Sequence, residues 1–140
     1  MRGSWLLLSV AVISCEKKPP PPPAFSLAEV AGTWNVRAMR DTGDAVITEY
    51  QLSGTANPAS WTMTLPNRQP MRIKVWVDAD SFMVETPPYQ SILQEGVAVV
   101  SKGVSRLRDG KLVGTFVAKY ATRMVDSVLT GRTEGTRVTP

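Results

Sequence analysis

The alternation of apolar and polar side chains along short segments constrains the fold of this chain more than any other feature. The clearest segment spans eight residues, in the order Met71, Arg72, Ile73, Lys74, Val75, Trp76, Val77 and Asp78. A period of two is that of a β-strand with one buried and one exposed face. Turn-forming pairs such as Asp109-Gly110, which is typical of a two-residue hairpin, separate such segments. The sequence therefore predicts an all-β fold.

The same reading along the chain predicts eight strands, at residues 33–40, 45–53, 61–65, 71–78, 81–85, 97–107, 111–121 and 125–138. Eight short strands with hairpin-length connections favour an eight-stranded antiparallel up-and-down β-barrel, and an open sandwich is the alternative. We expect a bulge near Gly103. The one helical element that we expect is a short turn at 25–30, capped by Ser26.

Composition excludes several kinds of chemistry. The 140 residues contain no histidine and one cysteine, so imidazole acid–base catalysis, Ser-His-Asp triads, intrachain disulfides and Cys/His zinc sites are excluded. The formal net charge is +4, and the basic residues are dispersed, which argues against nucleic-acid binding. The sequence thus predicts a protein that is not an enzyme and holds neither a metal nor a non-covalent cofactor.

The first fifteen residues resemble a bacterial lipoprotein signal. Arg2 supplies a positive charge before a short apolar run from Trp5 to Ile13, too short for a bilayer core that needs about 20 residues. Residues 12–15, Val-Ile-Ser-Cys, resemble a lipobox. This resemblance implies cleavage before Cys15 and a covalent lipid, with acyl chains such as palmitate, on Cys15. The alternatives are an ordinary signal peptide or a free thiol.

The sequence accordingly divides into a signal peptide at 1–14, an anchor and tether at 15–23, and a folded domain at 24–140. Five prolines, Pro19 to Pro23, favour a stiff polyproline spacer of roughly 15 Å. We expect a protein of the cell envelope that contacts the membrane through its lipid. In enteric bacteria, Asp after the lipidated cysteine retains a lipoprotein in the inner membrane. Glu16 at that position favours the outer membrane, facing the periplasm, over the inner one.

The start of the first strand resembles the lipocalin signature Gly-x-Trp, here Gly32-Thr33-Trp34 after a short helical turn. The resemblance implies a calycin-type barrel in which the tryptophan packs across the closed end beneath an arginine of the last strand. Because the first and last strands close the barrel antiparallel, Arg137 is the first candidate for this arginine and Arg132 the second. The domain is shorter than a typical lipocalin and lacks the conserved cysteines.

The predicted inner face carries the candidate ligand-binding residues. These are Tyr50, Trp61, Met63, Ile73, Val75, Phe82, Phe116 and Tyr120. They would either line a cavity for a small apolar or amphipathic ligand or fill the barrel of an envelope protein that acts through an unidentified protein partner. A cavity of about 300 Å³ or more would favour the ligand, and a packed interior would favour the protein partner. Two acidic groups, Asp78/Asp80/Glu85 and Asp41/Asp44, fit ordinary turn chemistry better than a calcium site.

Overall fold

The computed structural model describes residues 25–121 and 127–139, together with Ala11 and Cys15. Cys15 is exposed. The rest of the predicted signal peptide, the proline tether and residues 122–126 of the last connection lie outside the described residues. None of the helices formed by the described residues has the length and apolar character needed to cross a membrane.

The described part of the chain consists mainly of β-strands with very little helix. Its elements are α1 (Leu27–Val30), β1 (Gly32–Arg40), β2 (Val46–Gly54), a 3₁₀ turn (Pro58–Ser60), β3 (Thr62–Thr64), β4 (Met71–Arg72), β5 (Lys74–Asp78), β6 (Ser81–Glu85), β7 (Tyr89–Gln90), β8 (Ala98–Arg108), β9 (Lys111–Tyr120) and β10 (Val128–Arg137). Ser26 caps α1 in a capping box with Glu29, as the sequence predicts.

The strands form one antiparallel sheet in the order β4-β3-β2-β1-β10-β9-β8-β6-β5, with β7 also paired to β8. Its two outermost strands, β4 and β5, are halves of one segment interrupted only at Ile73. The first half pairs with β3 and the second with β6. At the interruption, the Ile73 N–H donates to the Trp61 carbonyl at 3.2 Å. This single segment therefore joins both edges of the sheet and closes it into a barrel.

The prediction of an all-β barrel is confirmed, and the number of strands differs from eight for two local reasons. The predicted strand at 71–78 is divided at Ile73, and a two-residue strand at Tyr89–Gln90 adds to the edge of β8. The predicted bulge near Gly103 is wrong. The register of β8 runs through this residue without a shift, and the irregularity lies in β1, between Ala38 and Met39.

The barrel interior is packed at one end, which we call the closed end. Trp34, Trp61 and Phe82 are fully buried there, and the rings of Trp61 and Phe82 are tilted with their centroids 5.0 Å apart. The Trp61 indole lies directly over Gly54, and its Nε1 donates to the Thr55 carbonyl at 2.8 Å. The opposite end, towards Tyr89 and Tyr120, is the open end.

Candidate functional site: a cavity in the open half of the barrel

The closed end is secured by a contact between the first and last strands. The register pairs Trp34 with Arg137, and the Arg137 guanidinium lies over the Trp34 ring, 4.3 Å from its centroid. This is the predicted cation–π contact, of a kind that stabilises by roughly 0.5–2 kcal/mol. Arg137 also donates to the carbonyls of Ala31 (2.6 Å) and Glu29 (2.9 Å), so it ties α1 to the barrel.

Gly32 has a structural reason to be glycine in the Gly-x-Trp sequence. Its φ is +130°, and an added Cβ would lie 3.1 Å from an Arg137 side-chain nitrogen. Two residues on, the Trp34 indole donates to the Val30 carbonyl at 2.8 Å. The second candidate, Arg132, is not part of this arrangement: its side chain donates to the carbonyls of Arg40 and Gly43, at the other end of β1.

The open half of the barrel contains a cavity of about 80 Å³, lined mainly by apolar side chains and several hydroxyls. This volume is smaller than the roughly 300–1,000 Å³ of pockets that enclose drug-sized ligands, so it does not reach the value that would favour a fully enclosed ligand over a filled barrel. The cavity opens beside the loop between β7 and β8, where Ile92 and Leu93 line it while remaining 38% and 51% exposed. We call this opening the mouth. The site therefore suits a narrow group continuous with a longer molecule that extends through the mouth.

Small side chains explain why the interior is unfilled here. Strand pairing aligns five residues across the sheet that are small or carry a hydroxyl, namely Thr48, Ala38, Thr133, Gly114 and Ser105. Four of them contribute to the cavity wall. Phe82, which pairs with Ser105, is the one large side chain that continues this row. A barrel of this size is normally filled by large side chains, so the five small or hydroxyl-bearing residues leave space beside them.

The next row towards the mouth places one aromatic ring between two glycines. Phe116 pairs with Gly131 on β10 and with Gly103 on β8. An added Cβ on Gly131 would lie 2.4 Å from the Phe116 ring, so the ring lies against that backbone. Around Gly103 the nearest non-neighbouring heavy atoms are 3.8 and 4.0 Å from an added Cβ. A Cβ at Gly103 would therefore make only ordinary van der Waals contacts, so this position in the cavity wall accepts a side-chain atom without a clash.

All three tyrosines of the chain line this cavity: Tyr50, Tyr89 and Tyr120. Burial, and secondarily the proximity of Tyr89, raises the pKa of Tyr50. Burial also raises the pKa of Tyr89, whose hydroxyl lies 2.9 Å from the Ser101 hydroxyl. Both phenols are therefore neutral at physiological pH and offer hydrogen bonds without charge.

One hydroxyl in the wall stands apart from the rest. Thr133 is 5% exposed, and its Oγ1 has no hydrogen-bond partner among the described residues. Buried polar atoms are normally paired, and an unpaired one lowers stability. Since Thr133 lines the cavity, its hydroxyl is placed to pair with a group inside it.

The loop at the mouth is ordered by specific hydrogen bonds. The Arg68 side chain donates to the carbonyls of Gln90 and Ser91, and the Ser91 hydroxyl accepts from the backbone N–H groups of Leu93 and Gln94, both at 3.0 Å. These contacts hold the apolar side chains of Ile92 and Leu93 at the mouth although they remain exposed.

The structure divides the predicted lining residues into two groups. Tyr50, Met63, Phe116 and Tyr120 line the cavity. The other four, Trp61, Ile73, Val75 and Phe82, are buried in the core, as in the alternative of a filled barrel. They face inwards as the alternation predicts.

Sequence reasoning missed the small and polar part of the wall, including Tyr89, Ser101, Gly103 and Thr133. The alternation of inward- and outward-facing residues along β8 and β10 could have identified the positions on these two strands. This alternation is hard to recognise in the sequence, because serine, threonine and glycine are typical of exposed positions.

The acidic residues take part in separate surface contacts. Asp80 lies 3.5 Å from Arg106, and Glu85, at the other end of β6, lies 3.9 Å from Lys102. Asp41 accepts from the Thr130 hydroxyl at 2.6 Å, and Asp44 lies 4.0 Å from Arg132. Within residues 25–121 and 127–139, no three histidine, cysteine or carboxylate side chains come together in a metal-binding arrangement.

Comparison with known proteins yields no relative: no protein-family model matches the chain, and no curated protein or solved structure is significantly similar to it.

Proposed function

We propose that this protein is a lipid-anchored protein of the cell envelope whose barrel binds a narrow apolar or amphipathic molecule in its open half. The observation that carries the proposal is the cavity itself, which is apolar in most of its wall, opens beside exposed Ile92 and Leu93, and contains several hydroxyls. Pockets that bind small ligands combine an apolar wall with a few placed polar groups.

The dimensions of the cavity limit the ligand. A volume of about 80 Å³ falls below the 300 Å³ expected for a fully enclosed ligand, and the packed closed end prevents deeper entry. Only a narrow part of the ligand enters, and the remainder extends past the mouth. A lipid or another molecule with one thin chain fits this description better than a broad ring system.

The proposed location in the cell envelope depends on the sequence of the first fifteen residues. The lipobox-like residues 12–15 and the proline spacer that follows support a lipidated Cys15, and the exposed position of this residue is compatible with modification. The proposed location in the outer membrane, and not the inner membrane, depends on Glu16 at the position after Cys15.

The experiment is to fill the cavity from a position that tolerates a side chain. Gly103→Leu places a leucine side chain at the cavity wall beside Val84, while Val104→Leu places a leucine at the neighbouring position on the outer face. The delipidated full chain and both variants are titrated with 1-octanol and analysed by calorimetry and by native mass spectrometry. We expect one molecule to bind the wild type and Val104→Leu, and binding to Gly103→Leu to be at least tenfold weaker. If no variant binds, or all bind equally, the proposed function is wrong.

A second candidate is a protein-interaction role without a small ligand. The outer face of the β8–β9 hairpin carries three exposed valines, Val104, Val113 and Val117, and the cavity is small. This function predicts that Val113→Lys reduces chemical cross-linking of the protein to a partner in intact cells, whereas Gly103→Leu leaves the cross-linking unchanged.

A further inference from the structure

We propose that the ligand places an uncharged hydroxyl or carbonyl group inside the barrel, paired with Thr133. This inference rests on the proposed function and specifies its ligand class: an uncharged amphiphile, such as a long-chain alcohol or an ester, and not a fatty-acid carboxylate.

The first support is the unpaired hydroxyl. Thr133 is 95% buried, lines the cavity, and has no partner for Oγ1 among the described residues. A threonine hydroxyl both donates and accepts, so it pairs equally well with an alcohol or a carbonyl. A ligand that supplies the partner removes the penalty of an unsatisfied buried group as well as forming the bond.

The second support is the absence of an inward-facing positive charge in the described wall. Lys102 is the single charged residue there, and its side chain is 63% exposed, with Nζ 3.9 Å from Glu85 on the outside. Arg68, the cation near Tyr89, is bound to the carbonyls of the mouth loop. A carboxylate placed at Thr133 would lose its hydration without gaining a counter-ion, which strongly disfavours it.

The third support is the position of the polar and apolar groups along the barrel axis. Thr133 lies in the middle of β10, paired with Ala38 and Gly114, between the mouth and the apolar side chains of Val36, Leu52 and Leu112 that line the cavity towards the closed end. The exposed apolar side chains of Ile92 and Leu93 lie at the mouth. An amphiphile therefore matches the site when its polar group lies at Thr133 and its chain follows the apolar wall.

The test compares two probes of equal chain length, 1-octanol and octanoate, on the delipidated full chain. At pH 7 we expect 1-octanol to bind at least tenfold more tightly than octanoate. As the pH falls towards the pKa of octanoic acid, the difference should narrow, because the neutral acid offers the same uncharged groups as the alcohol.

The matched variants are Thr133→Val, which keeps the shape of the side chain without its hydroxyl, and Thr133→Ser, which keeps the hydroxyl. Thr133→Val should weaken 1-octanol binding three- to tenfold, and Thr133→Ser should restore binding to within twofold of the wild type. Because the valine removes an unpaired buried oxygen, the variant without ligand should melt at the same temperature as the wild type or higher. The weaker binding is then not a consequence of unfolding.

The outcomes separate the two proposals. Equal binding of 1-octanol and octanoate at pH 7, or unchanged 1-octanol binding by Thr133→Val, overturns the inference and leaves the proposed function standing. Failure of both probes to bind the wild type overturns the proposed function as well.

Discussion

Arg137 lies over the indole ring of Trp34 and at the same time donates to the carbonyls of Ala31 and Glu29. One side chain thereby joins the last strand, the first strand and the helix that precedes it. The contact lies at the closed end of the barrel, where the interior is packed. Neither Arg137 nor Trp34 lines the cavity, so the contact stabilises the fold without forming part of the cavity wall.

Replacing Arg137 should destabilise the fold without changing the cavity. Arg137→Ala removes the cation–π contact and two charge-assisted hydrogen bonds, and we expect a loss of about 1–3 kcal/mol in the free energy of unfolding. Arg108→Ala, at an exposed position of the same end, is the control and should change stability by less than about 0.5 kcal/mol. Urea denaturation measures both. Equal effects of the two substitutions would contradict the role given to Arg137.

Two glycine-to-alanine substitutions should have opposite consequences. Gly54→Ala places a Cβ 2.2 Å from the Trp61 ring, and we expect a loss of about 1–3 kcal/mol because the indole has to move. Gly103→Ala meets nothing closer than 3.8 Å and should be neutral or slightly stabilising. Thermal melting of the two variants measures these changes in stability. An unchanged melting temperature for Gly54→Ala would show that Trp61 does not pack against Gly54.

Stability should fall in alkaline solution through Tyr50. Burial raises the pKa of this phenol above the usual value of about 10, so the folded protein keeps a proton that the unfolded chain loses. The stabilisation is complete below pH 10 and decreases as the pH rises above it, by up to about 1.4 kcal/mol per pH unit. Tyr50→Phe should show a shallower decrease between pH 10 and 12. An identical decrease in the variant would mean that Tyr50 does not keep its proton on folding.

Lipidation of Cys15 has a direct biochemical test. Cys15→Ser should abolish incorporation of labelled palmitate, because the acyl chains are attached at this residue. It should also release the protein from the membrane fraction, because stable anchoring needs more than one acyl chain. Ser14→Ala keeps a small residue before the cysteine and should remain labelled. Continued labelling of Cys15→Ser would refute the anchor.

The barrel could be predicted from the sequence because period-two alternation and turn residues report on each strand separately. The pairing of Arg137 with Trp34 could also be predicted, because antiparallel closure of the first and last strands sets the register between their ends. Local signals of this kind do not depend on how completely the interior is filled.

The position of the cavity could not be predicted, since it depends on which inward-facing residues share a level across the sheet. Trp61 and Phe82 face inwards as Phe116 does, yet the rings of the first two contact each other, whereas Phe116 pairs with a glycine on each neighbouring strand. Thr133 was missed for the same reason: only the register places its hydroxyl beside Ala38 and Gly114, where nothing in the described chain pairs with it.

The most direct test of the central claim is the location of bound 1-octanol by intermolecular NOEs in methyl-labelled protein. Along β9, Leu112 and Ala118 face the cavity, whereas Val113 and Val117 are exposed on the outside of the same strand. We expect NOEs from the octanol chain to the methyl groups of Leu112 and Ala118 and none to those of Val113 and Val117. NOEs confined to the two outer valines would contradict a ligand site inside the barrel.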